Sequence, residues 1–204
     1  MTVMRYSVAV DRLRSVAETC TRLASLWEDD PLVVGAYVFG KLLEGDQRPE
    51  RLQLAFVVDF PPEEVTWYTL PTPMVGFAAS VGIDKYPCEW YSRPALWPVW
   101  NHLIRGPVQF WSLAGPDEPT LDALGERRLG DLHRLIPTAA EEAEQLQEEL
   151  AASLGHLQQV DAAYWEREWR REHKGLGSYP EDHLWRATHG YLDLLAATRV
   201  AGSG

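Results

Sequence analysis

A few side chains in this sequence stand out as able to hold or move a charge. Asp59 closes an apolar run, Glu89 lies inside Pro87-Cys88-Glu89-Trp90-Tyr91, and Lys41, Lys85 and His102 are the groups that a small α/β fold would bring near the same cleft. A Lys–Glu or Asp–Lys pair there binds a polar ligand, or transfers a proton where burial shifts its pKa. Solvated strand-end charges are the plainer reading of the same residues. The histidines offer less. His183 and His189 are six residues apart, not the four that would put two ligands on one helix face. His173, His183 and His189, with Glu172 and Asp182, therefore read as surface or capping groups. The sequence has no Ser-His-Asp set, no G-x-S-x-G, no zinc-type Cys pair and no dinucleotide fingerprint. The expectation is no cofactor and no metal.

Aromatic residues are the second resource. The chain has 9 Trp in 204 residues, and Trp90, Tyr91, Trp97, Trp100, Phe110 and Trp111 crowd into one stretch. Such residues stack on planar ligands or anchor partners, although core packing is their commoner use. Trp90 and Trp97 are the candidate ligand contacts, with Trp97 and Trp100 expected on one side of a helix. A net charge of −11 repels nucleic acid unless basic residues cluster. Arg167, Arg170, Arg171 and Lys174 do concentrate, but Glu166, Glu168 and Glu172 alternate with them, as on a solvated helix face. Two distant cysteines, Cys20 and Cys88, and a start without a signal-peptide profile point to a reduced, cytoplasmic protein. No stretch has the length of a membrane span.

The elements that must position these groups follow from periodicity. Residues 6–28 carry Val10, Leu13, Val16, Ala17, Cys20, Leu23, Ala24 and Trp27 at helical spacing, and Asp29-Asp30-Pro31 ends that helix. Strands are expected at 32–39, 52–60, 83–92 and 108–113, the third at an edge because of Pro87. Helices are expected at 72–82 and 96–105, with a short one opening at Pro62. Residues 114–119 read as a linker, and the chain beyond it as helical over 121–135, 138–174 and 181–200. Thr138 and Glu141 have capping-box spacing, and Gly175 to Pro180 separates the last two helices. Ala143, Leu146, Leu150, Leu154, Leu157, Val160 and Tyr164 form an apolar seam, for packing on the α/β core or for a homodimer contact. The fold class is α/β (α+β), a small mixed sheet flanked by helices. Residues 1–114 form an α/β domain and residues 115–204 a helical region packed on it.

The segment YVFGKLLEGDQRPERLQLAFVVD, Tyr37 to Asp59, joins two apolar strands through a Phe-Gly turn, a charged helical turn, a second Gly and a polar loop. It resembles the minimal nucleotidyltransferase fold, with the resemblance extending over residues 32–112. That family carries a Gly-Ser turn that holds nucleotide phosphates and an Asp-x-Asp pair that binds divalent metal. Here Gly40 and Gly45 match the turn, Lys41 stands at the Ser position, and the two Asp positions fall on Leu52 and Leu54 with Gln53 between them. Glu89 matches the family's third acid. Leucine cannot ligate a hard cation, so the resemblance implies the frame without metal-dependent nucleotidyl transfer. Gly35 to Lys41 also fits the G-x-x-x-x-G-K phosphate loop, but Leu42 replaces the Ser or Thr that would hold magnesium, and strand-like residues fill the loop.

Three functions compete on these grounds. The leading one is a degenerate nucleotidyltransferase-like module that recognises a small molecule or a protein partner, with Gly40, Lys41 and Gly45 as the remnant of an anion site. The second is a metal-independent pathway enzyme reusing the cleft, with Asp59, Lys41, Glu89 or Lys85 as acid and base. The third rests on Arg167 and His173, whose spacing resembles the Arg-x(4–6)-His motif of the HEPN ribonucleases, where Arg holds phosphate and His acts as acid or base.

Overall fold

A computed structural model describes residues 4–26, 31–175 and 179–201. The expected helix stop at Asp29-Asp30 and the Leu176–Ser178 part of the later break lie outside the described residues. Helix α1 (Tyr6–Leu26) leads into strands β1 (Val33–Phe39) and β2 (Leu52–Val58), joined through a 3-10 turn at Gly40–Leu42. Helix α2 (Thr72–Val81) then crosses to β3 (Cys88–Pro94). After β4 (Val108–Ser112) come β5 (Gly115–Pro116), α3 (Glu118–Gly125), α4 (Ala139–Ala163), α5 (Arg167–Glu172) and α6 (Pro180–Ala201). The sheet has order β3-β2-β1-β4-β5, with β2 and β3 parallel and the other pairs antiparallel. The parallel pair needs a crossover element, and α2 is that element.

Strand periodicity divides the side chains between two layers. Leu52, Leu54, Phe56 and Val58 of β2 face α1, α2 and α3, where they meet Leu13, Val16, Phe77 and Leu124 in an aliphatic core. A bulge between Val33 and Gly35 lets Val33 share that side with Ala36 and Val38. The opposite face carries Phe39, Ala55 and Tyr91, covered by Trp67, Leu146 of α4 and Leu194 of α6. The fold is thus a mixed five-stranded sheet with helices on both faces. No described helix is long and apolar enough to cross a membrane.

Several expected elements change. Residues 96–105 form turns rather than a helix. Pro98 interrupts the segment, and side chains capture its backbone. Arg93 donates to the carbonyls of Pro98 and Trp100, and Asn101 Oδ1 accepts from the amides of Leu103 and Ile104 at 3.0 and 2.9 Å. Trp97 and Trp100 therefore share no helix face. The expected linker at 114–119 is instead the β4–β5 hairpin and the start of α3, where Asp117 caps the helix through Thr120 N. Leu121, Ala123 and Leu124 join the first core, so the chain beyond residue 114 is not a separate helical layer until α4. The expected 121–135 helix ends at Gly125, followed by Arg127 at φ 60°. The turn at Pro62 does not become a helix. The Thr138–Glu141 capping box is present, but the long helix breaks after Ala163, before α5.

The buried stripe of α4 is rotated from the expected seam. It consists of Gln145, Leu146, Glu149, Ser153 and Val160, and Leu154 is exposed. The cause is a polar lock. Glu149 Oε1 lies 2.5 Å from Arg93 Nη2, with the two side chains 1% and 0% exposed. Gln145 Nε2 and Asn101 Nδ2 donate to the same carboxylate at 3.1 and 3.2 Å. A buried carboxylate and guanidinium tolerate removal from water only when paired and hydrogen-bonded in this way.

Candidate functional site

The turn after β1 fixes one end of the site. Gly40 adopts φ +73°, which favours glycine, and a Cβ there would displace the Gln53 side chain, whose Oε1 would lie at 1.8 Å. The Gln53 side chain lies over this turn. Its Oε1 accepts from Lys41 N at 3.3 Å, and its Nε2 donates to Glu89 Oε2 at 3.1 Å. Because Phe39 pairs with Gln53 and Gln53 with Glu89, a single row across β1, β2 and β3 sets this chain of contacts.

Glu89 is the hub. Tyr91 Oη donates to its Oε1 at 2.7 Å, and the half-exposed Arg51 guanidinium stands 3.8 Å from its Oε2. Burial first, and the Glu89 carboxylate second, push the Tyr91 hydroxyl far above the ordinary tyrosine range, so it is a donor and not a base. Tyr91 stacks on Trp67 with ring centroids 4.6 Å apart and planes 14° apart. Trp67 Nε1 donates to Asp193 of α6 at 2.7 Å, and His102 Nε2 lies 2.9 Å from the same oxygen. Helix α6 comes this close because Gly190 packs on the Trp67 carbonyl, where a Cβ would sit 2.1 Å from the oxygen.

A cleft of ≈ 360 Å³ opens along the outer edge of β3, lined among others by Arg51, Tyr68, Glu89, Trp90, Ser92 and Arg186. Tyr68 has φ 65°, and its carbonyl accepts from Arg186 Nη1 at 3.5 Å. Both arginines line the cleft, while each oxygen of Glu89 accepts a bond within the chain. Cys88 also borders it, but burial pushes its thiol up to about 12, so it stays protonated near neutral pH.

The candidates from the sequence separate in space. Gly40, Lys41 and Glu89 lie at one end of the sheet, linked through Gln53, whereas the Trp90 ring packs beside Phe56 under the other face while still bordering the cleft. Lys41 points away, paired with Glu44 at 2.7 Å on the surface. Gly45 has φ +79° and packs against Leu129. Lys85 is exposed in the turn after α2. Asp59 follows the other end of β2, a strand length or roughly 20 Å from Glu89 at about 3.3 Å per residue, so the two do not form an acid–base pair. Trp97 is absent from the cleft lining and sits with Arg93, whose guanidinium carbon is 5.9 Å from its ring. His102 reaches Asp193, not Glu89. The Leu52 and Leu54 side chains point into the aliphatic core, and the pair that faces the Gly40 side is Gln53 and Ala55. The shift by one residue leaves the same deficit, since neither is a carboxylate and the Gln53 amide oxygen is already engaged. Among the described residues, no group of three His, Cys, Asp or Glu could hold a metal ion. Gly35 to Phe39 is strand and β2 returns antiparallel, so Gly40-Lys41 does not open a phosphate-loop helix. Arg167 is exposed on a short helix, and His173 is stacked on Trp169 at 4.1 Å with its Nδ1 on the Trp169 carbonyl.

The site residues that periodicity missed are Gln53, Trp67, Tyr68, Asp193 and Arg186. Gln53 alone had a signal, as the polar residue inside Leu52 to Val58.

The chain belongs to the family described as Domain of unknown function (DUF7711). Its model matches residues 4–200, from α1 to the end of α6, so the family unit includes both the sheet and the helical layer over its second face. No curated protein and no solved structure matches the chain.

Proposed function

We propose that this chain is a binding module on a nucleotidyltransferase-like frame that has lost metal chemistry, and that the β3-edge cleft takes a small molecule bearing an anionic group. One observation carries the reading. The residues facing the Gly40 turn are Gln53, Ala55 and Glu89, one acid where such chemistry needs several, and each oxygen of that acid already accepts a bond, from Gln53 or Tyr91. The order β3-β2-β1-β4, the glycine turn after β1 and the α2 crossover support the frame. Trp67 and Tyr91 fill the face on which a nucleotide would have to lie. The available charge is on Arg51 and Arg186, groups suited to carboxylate or phosphate.

The test is a thermal-shift screen of the whole chain against small organic acids and phosphate esters, each at millimolar concentration. A ligand that binds only the folded state raises Tm in proportion to its saturation. The expected result is a hit that Arg186→Ala abolishes while Lys41→Ala keeps it. Hits unaffected by Arg186→Ala, or no hit in either class, contradict the assignment of the cleft.

A further inference from the structure

A second cavity lies away from Glu89, under the other face of the sheet. It measures ≈ 550 Å³, within the range of small-molecule sites. Its walls are the last turns of α1 (Cys20, Leu23), the start of β1 (Leu32), Phe60 after β2, and α2 (Gly76, Phe77). These surfaces are mainly apolar, with Ser80 and Asp59 as polar members. The Cys20 thiol within it is pushed up to about 12 by burial and offers no nucleophile. Trp111 also lines it but has its indole N–H on Thr21 at 2.8 Å, so it presents a ring and no free donor.

The charge at this site is a carboxylate. Asp59 lines the cavity, is exposed and forms no ion pair among the described residues. Gly76 of helix α2 lines the cavity at an exposed position, and a Cβ built there meets nothing within 4 Å. Glycine within a helix weakens it relative to alanine, so the missing side chain leaves room without benefit to the helix.

We propose that this cavity binds an amphiphilic amine, its hydrocarbon part between α1 and α2 and its ammonium group at Asp59. The hydrocarbon is matched by the apolar walls and the positive head by the free carboxylate. The site is independent of the β3-edge cleft and of the function assigned to it.

The test is a titration of the full chain with decylamine from 1 µM to 1 mM, followed by amide NMR shifts, with decanol and decanoate as matched probes. The expected result is saturable shifts confined to the cavity lining. Affinity falls about fourfold for each methylene removed, as for burial of a CH₂ group. The amine binds more tightly than decanol, and decanol more tightly than decanoate. Asp59→Asn weakens the amine about threefold, in line with an exposed ion pair, and leaves decanol unchanged. Gly76→Leu, which fills the space from a helix position, raises Tm and abolishes binding of all three probes. Gly76→Ala raises Tm and keeps binding, which separates the filling of the cavity from any effect on the helix. Absence of saturable shifts, shifts scattered over the surface, or tight binding by Gly76→Leu overturns the cavity assignment. Equal affinity for amine and decanoate overturns the role of Asp59.

Discussion

The two faces of the sheet are held to their helices by different physics. Under α1, α2 and α3 the contacts are mainly apolar, with Leu13, Leu52, Leu54 and Leu124 almost wholly buried and Phe56 edge-on to Phe77. Under α4 and α6 the contacts are polar and aromatic: Arg93 on Glu149, Trp67 on Asp193 and Tyr91 on Glu89. The first face tolerates shape-preserving exchange, because hydrophobic contacts have no direction. The second is directional. Arg93 and Asn101 both donate to Glu149, and rotation of α4 would separate that carboxylate from them. Replacing both members of such a pair by apolar residues is often neutral, whereas removing one leaves a buried charge without its partner. On the proposed reading, the face that carries Gln53 and Glu89 is the one whose groups already bond to each other.

The largest expected effect breaks that contrast on the polar side. Glu149→Ala leaves Arg93 charged, unpaired and without solvent, and should cost about 3–5 kcal/mol in urea unfolding. Arg93→Met combined with Glu149→Leu should recover most of that loss. A loss under about 1 kcal/mol for the single variant would mean that the pair does not hold the two layers together.

On the aliphatic side, Leu13→Ala should cost about 2–5 kcal/mol by the same measurement, with no rescue from a polar partner. Gly190→Ala forces α6 away from the Trp67 carbonyl, at about 1–3 kcal/mol. It should raise amide exchange in α6 while leaving α1 protected, which sharpens the distinction between the layers.

The smallest effect is pH dependence, and it belongs to the second layer. Burial holds His156 below the ordinary histidine value, against a weaker opposite pull from the Glu63 backbone. His183 is also lowered, by burial first and then by the neighbouring His173 and Arg186 charges. A depressed histidine folds preferentially neutral. Its contribution is complete above the unfolded value of about 6.5 and is lost as pH falls through that value towards the folded one. Unfolding midpoints should therefore drop between pH 7.5 and pH 5.5, and His156→Gln should flatten the slope.

Legibility in the sequence followed the same division. Helix α1 and strands β1 and β2 are nearly as periodicity placed them, because one-sided burial writes a repeat of 3.6 or 2 into the residues. The capping box of α4 was legible for a similar local reason. Residues 96–105 were not, because Arg93 and Asn101 take their backbone groups through contacts that no spacing records. The α4 seam was legible at Leu146 and Val160, but not at Gln145, Glu149 and Ser153, polar residues that share the buried stripe and that no apolar pattern records. The site divides likewise. Gly40 and Glu89 could be read from turn and strand, whereas Trp67 and Asp193, 126 residues apart, meet only through the packing of α6.

On the proposed reading the turn at Gly40 holds no divalent cation, and calorimetry with magnesium–ATP measures this. The expected result is weak binding, low-millimolar or none, unchanged when magnesium is removed by EDTA. Tight binding that chelation abolishes, or transfer of a nucleotide to any acceptor in the same mixture, would contradict it.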